Sequence, residues 1–191
     1  MLIGLSGACG TGKTTLTNAL AKELKDRGYD VAVVEEVVRD VFKDFQERFG
    51  YQSLEEIRAS KHHFRFQFEV LKNQILKENE ALDKAEIVLT DRTIYDNLFY
   101  TIFWNSMDWK TLKSYVDLFR SLGSRRYDLI FFCKPLGNNA RDGFRDIDLN
   151  YIEMQDLVIR LLVDRENVVD VPNGSLESRL AFCLKYLKRF L

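Results

Sequence analysis

Eight consecutive residues near the start of the chain, Gly7-Ala8-Cys9-Gly10-Thr11-Gly12-Lys13-Thr14, satisfy the pattern G-x-x-x-x-G-K-[ST] in full. Glycines at those positions let the backbone turn successive N–H groups inward around phosphate oxygens. Lys13 then reaches the β and γ phosphates, and the Thr14 hydroxyl is a ligand for magnesium. The helix that must begin there adds the positive end of its dipole. The pattern therefore predicts a site for ATP and Mg2+ built from residues 7–14, with Thr15 in the same turn. An accidental glycine-rich turn is the alternative, and it does not require a strand before the loop and a helix after it.

A phosphate site of this kind needs a carboxylate at the end of a neighbouring strand to hold magnesium or its water. Asp91, directly after Ile87, Val88 and Leu89, has that position. Arg92 beside it would face phosphate oxygens. The competing readings are a helix cap for Asp91 and a surface ion pair for Arg92. Glu35 and Glu36 close a second apolar run, and a carboxylate there could take the proton of an acceptor hydroxyl. Arg39 lies three residues after Glu36, on the same helical face, as an acceptor-binding pair or a solvated salt bridge. Arg58 and Arg65 are further cations that could meet an acceptor phosphate. The polar stretch KPLGNNARDGFRDID contains Arg141 and Arg145, either of which could be delivered to the transferring phosphoryl group by a lid over about residues 135–148. An inert surface loop would have a similar composition.

The elements that must position these groups follow from periodicity. Short apolar runs at Leu2–Ser6, Val31–Val34, Ile87–Leu89, Leu129–Cys133 and Val168–Val171 read as strands. Helical spacing is seen from Lys13 to Gly28, from Glu36 towards Phe49, and over one long region carrying Ile57, Phe64, Phe68, Leu71 and Ile75 to Asp83. It recurs at about 95–105, 109–122, 149–166 and from Ser175 onward. Both prolines, Pro135 and Pro172, stand just after strands, where a missing N–H does least harm. Apolar strands alternating with helices predict a single α/β domain over residues 1–191, a parallel five-stranded sheet in three layers. His62 and His63 point to different faces and are expected at the surface, whereas Trp104 and Trp109 are expected against the sheet or in a subunit contact.

Composition excludes some function classes. A formal net charge of -1 does not favour a surface built to neutralise nucleic-acid phosphates, although a local basic cleft with Lys61, Arg65, Arg125 and Arg126 would serve. No apolar run approaches the roughly 20 residues of a membrane span. The start of the chain lacks a signal-like pattern, and three widely spaced cysteines suit a reducing compartment, so the expected location is cytoplasmic.

Taken together, the phosphate loop, the strand-end Asp91-Arg92 pair, the arginine-bearing segment and the order of elements resemble the nucleoside and nucleotide kinase branch of P-loop proteins. That resemblance implies the P-loop NTPase fold with strand order 2-3-1-4-5. Phe64 to Gln74 is similar to the helix of deoxynucleoside kinases whose glutamine binds the base edge, which maps to Gln67. Thr90 to Tyr100 is similar to the acid-Arg-Ser segment of that family, with Asp91 as the acid and Thr93 third. Glu35-Glu36-Val37 lacks the proline that follows the family's base. DGFRD and EEVVRD look instead like the small ATPases that include ribosylnicotinamide kinase, and the Asp-Arg pair also occurs in thymidylate kinases. The resemblance implies ATP-dependent phosphotransfer to a nucleoside, nucleotide or related small acceptor, with nucleic acid as a less favoured acceptor and a homodimer as a candidate assembly. A regulatory ATPase without an acceptor is the other class that fits the phosphate loop.

Overall fold

The computed structural model describes residues 1–104, 108–123, 126–135, 149–163 and 167–191. Five strands, β1 (Leu2–Ser6), β2 (Val31–Val34), β3 (Ile87–Asp91), β4 (Leu129–Cys133) and β5 (Val168–Val171), form one parallel sheet in the order β2-β3-β1-β4-β5. The helices are α1 (Lys13–Asp26), α2 (Val38–Phe49), α3 (Leu54–Arg58), α4 (His63–Leu82), α5 (Ile94–Phe103), α6 (Trp109–Gly123), α7 (Leu149–Leu162) and α8 (Leu176–Leu187).

Alternate residues of each buried strand serve opposite layers, as the period of two requires. Ile3, Leu5, Leu129 and Phe131 pack against Leu16, Leu20 and Leu24 of α1 and Leu184 and Leu187 of α8. Leu2, Val88, Ile130 and Phe132 face the other way, onto Leu71, Phe99, Phe119 and Ile159 from α4 to α7. A third, smaller core joins Val41, Phe42 and Phe45 of α2 to Ile57 of α3 and Phe66 and Val70 of α4. This satellite core stands beside the sheet and gives the molecule a second wall opposite the strand ends.

Register places the chemistry. Leu5 of β1 pairs with Asp91, so the acid stands next to the strand that feeds the glycine loop. Strand β3 runs through Thr90 and Asp91, two residues beyond the expected end at Leu89, because both are fully inside the sheet. The long helical region between 53 and 83 is two helices, not one. Ser53 caps α3 by accepting the N–H of Glu56, and the chain turns at Ala59–His62 before α4 begins. His63 corrects another expectation: it is 1% exposed, and its Nε2 lies 3.3 Å from the Tyr100 carbonyl. Trp109, in contrast, is 76% exposed and does not pack on the sheet.

Candidate active site

The glycine loop leaves β1 at Gly7 with φ 135°, a conformation that side chains avoid. A Cβ there would run into the Cys133 carbonyl of β4, so Gly7 allows the loop to lie against the neighbouring strand. Gly10 and Gly12 both have φ 72°, and Gly12 opens α1. Lys13 folds over the loop, its Nζ donating to the carbonyls of Gly7 and Ala8 at 2.7 Å each and to Thr11 Oγ1 at 3.2 Å. Burial lowers its pKa, with the nearby Arg92 charge acting in the same direction and Asp96, Cys9 and Asp91 opposing.

At the end of β3 the Thr14 hydroxyl donates to Asp91 Oδ2 at 2.5 Å. A hydroxyl and a carboxylate held together beside a phosphate loop are the hard oxygen donors that magnesium prefers, alongside phosphate oxygens and water. The residues present therefore fit the ion that the sequence implies. Burial raises the Asp91 pKa, while the Thr14 hydrogen bond, Lys13 and Arg92 pull it back.

Arg92 follows with φ 87°, the one residue other than glycine with positive φ among the described residues. Its N–H donates to Leu5 O at 3.0 Å, and its carbonyl accepts from Thr90 Oγ1 at 3.0 Å and Gln74 Nε2 at 3.4 Å. These bonds hold a strained backbone that aims the guanidinium across the cleft. Its Nε donates to Glu36 Oε1. Burial of Glu36 opposes its charge, but Arg92, by charge and hydrogen bond, together with Lys13 and Arg39 keeps that carboxyl below the ordinary glutamate value.

Loop, Asp91, Arg92 and Glu36 line one cleft of about 1250 Å³, its solvent-open mouth included. The far wall is apolar, with Ile57, Phe66 and Val70 from the satellite core. Gln67 and Asn97 lie among these groups, and Asn97 Nδ2 donates to Gln67 Oε1 at 2.8 Å. That bond turns the Gln67 amide nitrogen outward as a donor, and Asn97 Oδ1 is a buried acceptor with no protein partner. Arg58 and Arg39 also line the cleft. The Arg58 guanidinium carbon lies 5.1 Å from the Trp104 ring centroid.

Of the residues singled out from sequence, the cleft gathers Cys9 to Thr15, Asp91, Arg92, Glu36, Arg39 and Gln67, with Gly7 and Ala8 at the loop's root. It leaves two candidates outside. Glu35 is exposed and does not line the cleft: Val34 and Val37 on either side of the pair are buried, which gives Glu36 the inward position. Arg65 is also exposed, its guanidinium carbon 5.5 Å from the Phe49 ring centroid on the outer side of α4. Arg125, Arg141, Arg145 and the expected lid at 135–148, apart from Pro135, lie outside the described residues.

Three buried side chains that sequence reasoning missed hold the loop backbone. Asp96, wholly buried, accepts from Ser6 Oγ at 2.7 Å, from the Gly7 N–H at 3.3 Å and from the N–H and hydroxyl of Thr93, forming a capping box on α5. Gln155 accepts the Cys9 N–H at 3.0 Å, and Arg179 donates to the Thr11 carbonyl at 2.8 Å. The Thr93-x-x-Asp96 spacing of a capping box was the one local signal available for any of them.

The fold and the site define a P-loop protein. A family model described as an AAA domain matches residues 2–179, and the chain belongs to that family. A deoxyadenosine kinase of Dictyostelium discoideum is 27% identical over 165 residues, covering 79% of this chain. The chain spans 62% of the length of that relative. Among solved structures, deoxyadenosine kinase from M. mycoides with the products dCMP and a flexible dCDP bound superposes with a TM-score of 0.70 at 16% identity, over 99% of this chain and all of that one. The same enzyme with bound dATP gives 0.69 at 18% identity, over 98% and 99% of the two chains. These two structures share the fold.

Proposed function

We propose that the protein is an ATP-dependent kinase that transfers the γ-phosphoryl group to a hydroxyl of a nucleoside-sized acceptor. The observation that carries this reading is the single cleft in which the phosphate loop faces an apolar, amide-bearing wall across the Glu36–Arg92 pair. A module that only binds or hydrolyses ATP has no need of that second wall. The similarity to deoxyadenosine kinases supports a deoxynucleoside as the acceptor.

In this reading the loop N–H groups and Lys13 hold the triphosphate. Thr14 and Asp91 would hold magnesium, which when bound neutralises charge on the β and γ phosphates. Glu36, kept ionised by Arg92, accepts the proton of the attacking hydroxyl. Arg92 stabilises the negative charge that develops on the transferring group, and its own placement is fixed by the bonds to Leu5, Thr90 and Gln74. Gln67, its amide fixed by Asn97, offers its amide nitrogen as a donor to a base edge, over the apolar surface of Phe66 and Val70. The protein then contributes mainly position and charge, as phosphoryl transfer requires.

The test is transfer of labelled phosphate from ATP to a panel of deoxynucleosides, ribonucleosides, nucleoside monophosphates and a DNA oligonucleotide. The expected outcome is labelled nucleoside monophosphate, with deoxynucleosides preferred. Label appearing on the oligonucleotide alone, or ATP hydrolysis with no labelled acceptor, would overturn the reading.

A further inference from the structure

Helix α7 carries a buried stripe at Ile152, Gln155 and Ile159, spaced three and four residues apart, where the pattern calls for apolar side chains throughout. A fully buried amide in such a stripe is costly unless both of its ends are hydrogen-bonded. Gln155 is 0% exposed, and both ends are satisfied. Its Oε1 accepts the Cys9 N–H at 3.0 Å, and its Nε2 donates to the Tyr100 hydroxyl at 2.9 Å. Because the Cys9 N–H can only donate, the orientation of the amide is determined. The Tyr100 hydroxyl in turn lies 3.2 Å from Cys9 Sγ, so Cys9, Gln155 and Tyr100 form a closed ring of polar contacts.

The ring joins two elements of the cleft lining that are far apart in sequence. Cys9 is the third residue of the phosphate loop. Tyr100 lines the cleft from α5, and the guanidinium carbons of Arg92 and Arg58 each lie 5.9 Å from its ring centroid. Asp96 also joins the loop to Arg92, but from the first turn of α5. Gln155 does so from 146 residues away, through a helix that has no other role in the site as described.

We infer that Gln155 is a positioning residue for phosphoryl transfer, fixing the third residue of the phosphate loop relative to the Tyr100–Arg92 side of the cleft. The inference rests on the reading of residues 7–14 as the ATP site. A loop segment displaced by a fraction of an ångström would still bind ATP, but would misalign the donor with its acceptor.

The experiment compares the unaltered protein with Gln155→Leu, Gln155→Met, Tyr100→Phe and Gln155→Leu combined with Tyr100→Phe. ATP dissociation constants are read by calorimetry without acceptor, kcat and acceptor KM by transfer, and folding by thermal melting. Gln155→Leu should lower kcat roughly tenfold and weaken ATP binding a few-fold, with acceptor KM within about twofold. Gln155→Met, similar in length but without the amide, should give the same split, which keeps the test open should the leucine variant fold poorly. In the double variant the losses should be clearly less than multiplicative, since both changes open one ring. Values of kcat and ATP affinity within about twofold of the unaltered protein in either Gln155 variant, whatever its melting temperature, would overturn the role of Gln155, as would fully multiplicative losses. Failure of the unaltered protein to bind ATP would instead overturn the ATP reading itself.

Discussion

The two sides of the cleft are built by different means. The donor side is backbone: seven loop residues and one lysine, contiguous in sequence, whose geometry is set by glycine conformations and by the start of α1. The acceptor side is side chains drawn from α2, α3, α4, α5 and the end of β3, assembled over the satellite core. A backbone site draws its donors from N–H groups that nearly every residue carries, and depends on the conformation in which they are held. A side-chain site depends on each residue and on the packing behind it, and it is the side on which substrate choice can vary within one fold. The difference predicts that variants should separate ATP binding from acceptor use.

Lys13→Ala attacks the donor side and should show the largest effect, a loss of transfer of roughly a thousandfold or more in a steady-state assay. Glu36→Gln, on the acceptor side, should reduce kcat by about 10²–10⁴-fold while calorimetry finds ATP affinity nearly unchanged. A parallel fall in ATP affinity would erase the proposed separation. Gln67→Ala should act on the acceptor alone, raising its KM about tenfold with little change in ATP binding. Asp96→Asn replaces an acceptor of four hydrogen bonds by an amide that can accept at only one of its two ends. It should cost about 1–3 kcal/mol in denaturant unfolding.

The smallest effect sharpens the electrostatics between the two sides. Burial raises the Asp91 pKa above its unfolded value, against the pull of Thr14, Lys13 and Arg92. A carboxyl with a raised folded pKa contributes stability while it is protonated and loses that contribution as pH rises through the folded value. Asp91→Asn has no such loss. Its melting temperature should therefore gain on that of the unaltered protein as pH rises above about 4, the ordinary aspartate value, even as transfer is lost. A constant difference over that range would contradict the assigned shift.

The sequence carried the donor side almost completely. A contiguous motif, a strand before it and a helix after it are local facts, and five apolar runs ended by turn residues sufficed for the parallel sheet, whose order 2-3-1-4-5 followed from the resemblance to P-loop kinases. Asp91 and Arg92 were readable because they end a strand. The acceptor side was readable only in part. Glu35 and Glu36 are adjacent and chemically alike, and which one enters the cleft is decided by the burial of Val34 and Val37, a tertiary fact. Arg65 has the charge of a site residue but lies on the outer face of α4. Asp96, Gln155 and Arg179 lie 89, 146 and 168 residues from the loop atoms they hold, beyond any spacing rule. His63 was misplaced because an adjacent histidine pair carries no hydrophobic pattern, and burial came from the packing of α4 against α5.

The central claim is that donor and acceptor meet in one cleft across Glu36 and Arg92. A crystal structure with a bisubstrate analogue, a nucleoside joined through its 5′ oxygen by a polyphosphate to adenosine, tests it most directly. The account predicts phosphates cradled by residues 7–14, the bridging 5′ oxygen beside Glu36, and the nucleoside base against Phe66 and Val70 with Gln67 on its edge. An analogue with its phosphates in the loop and its nucleoside end outside that wall would contradict it.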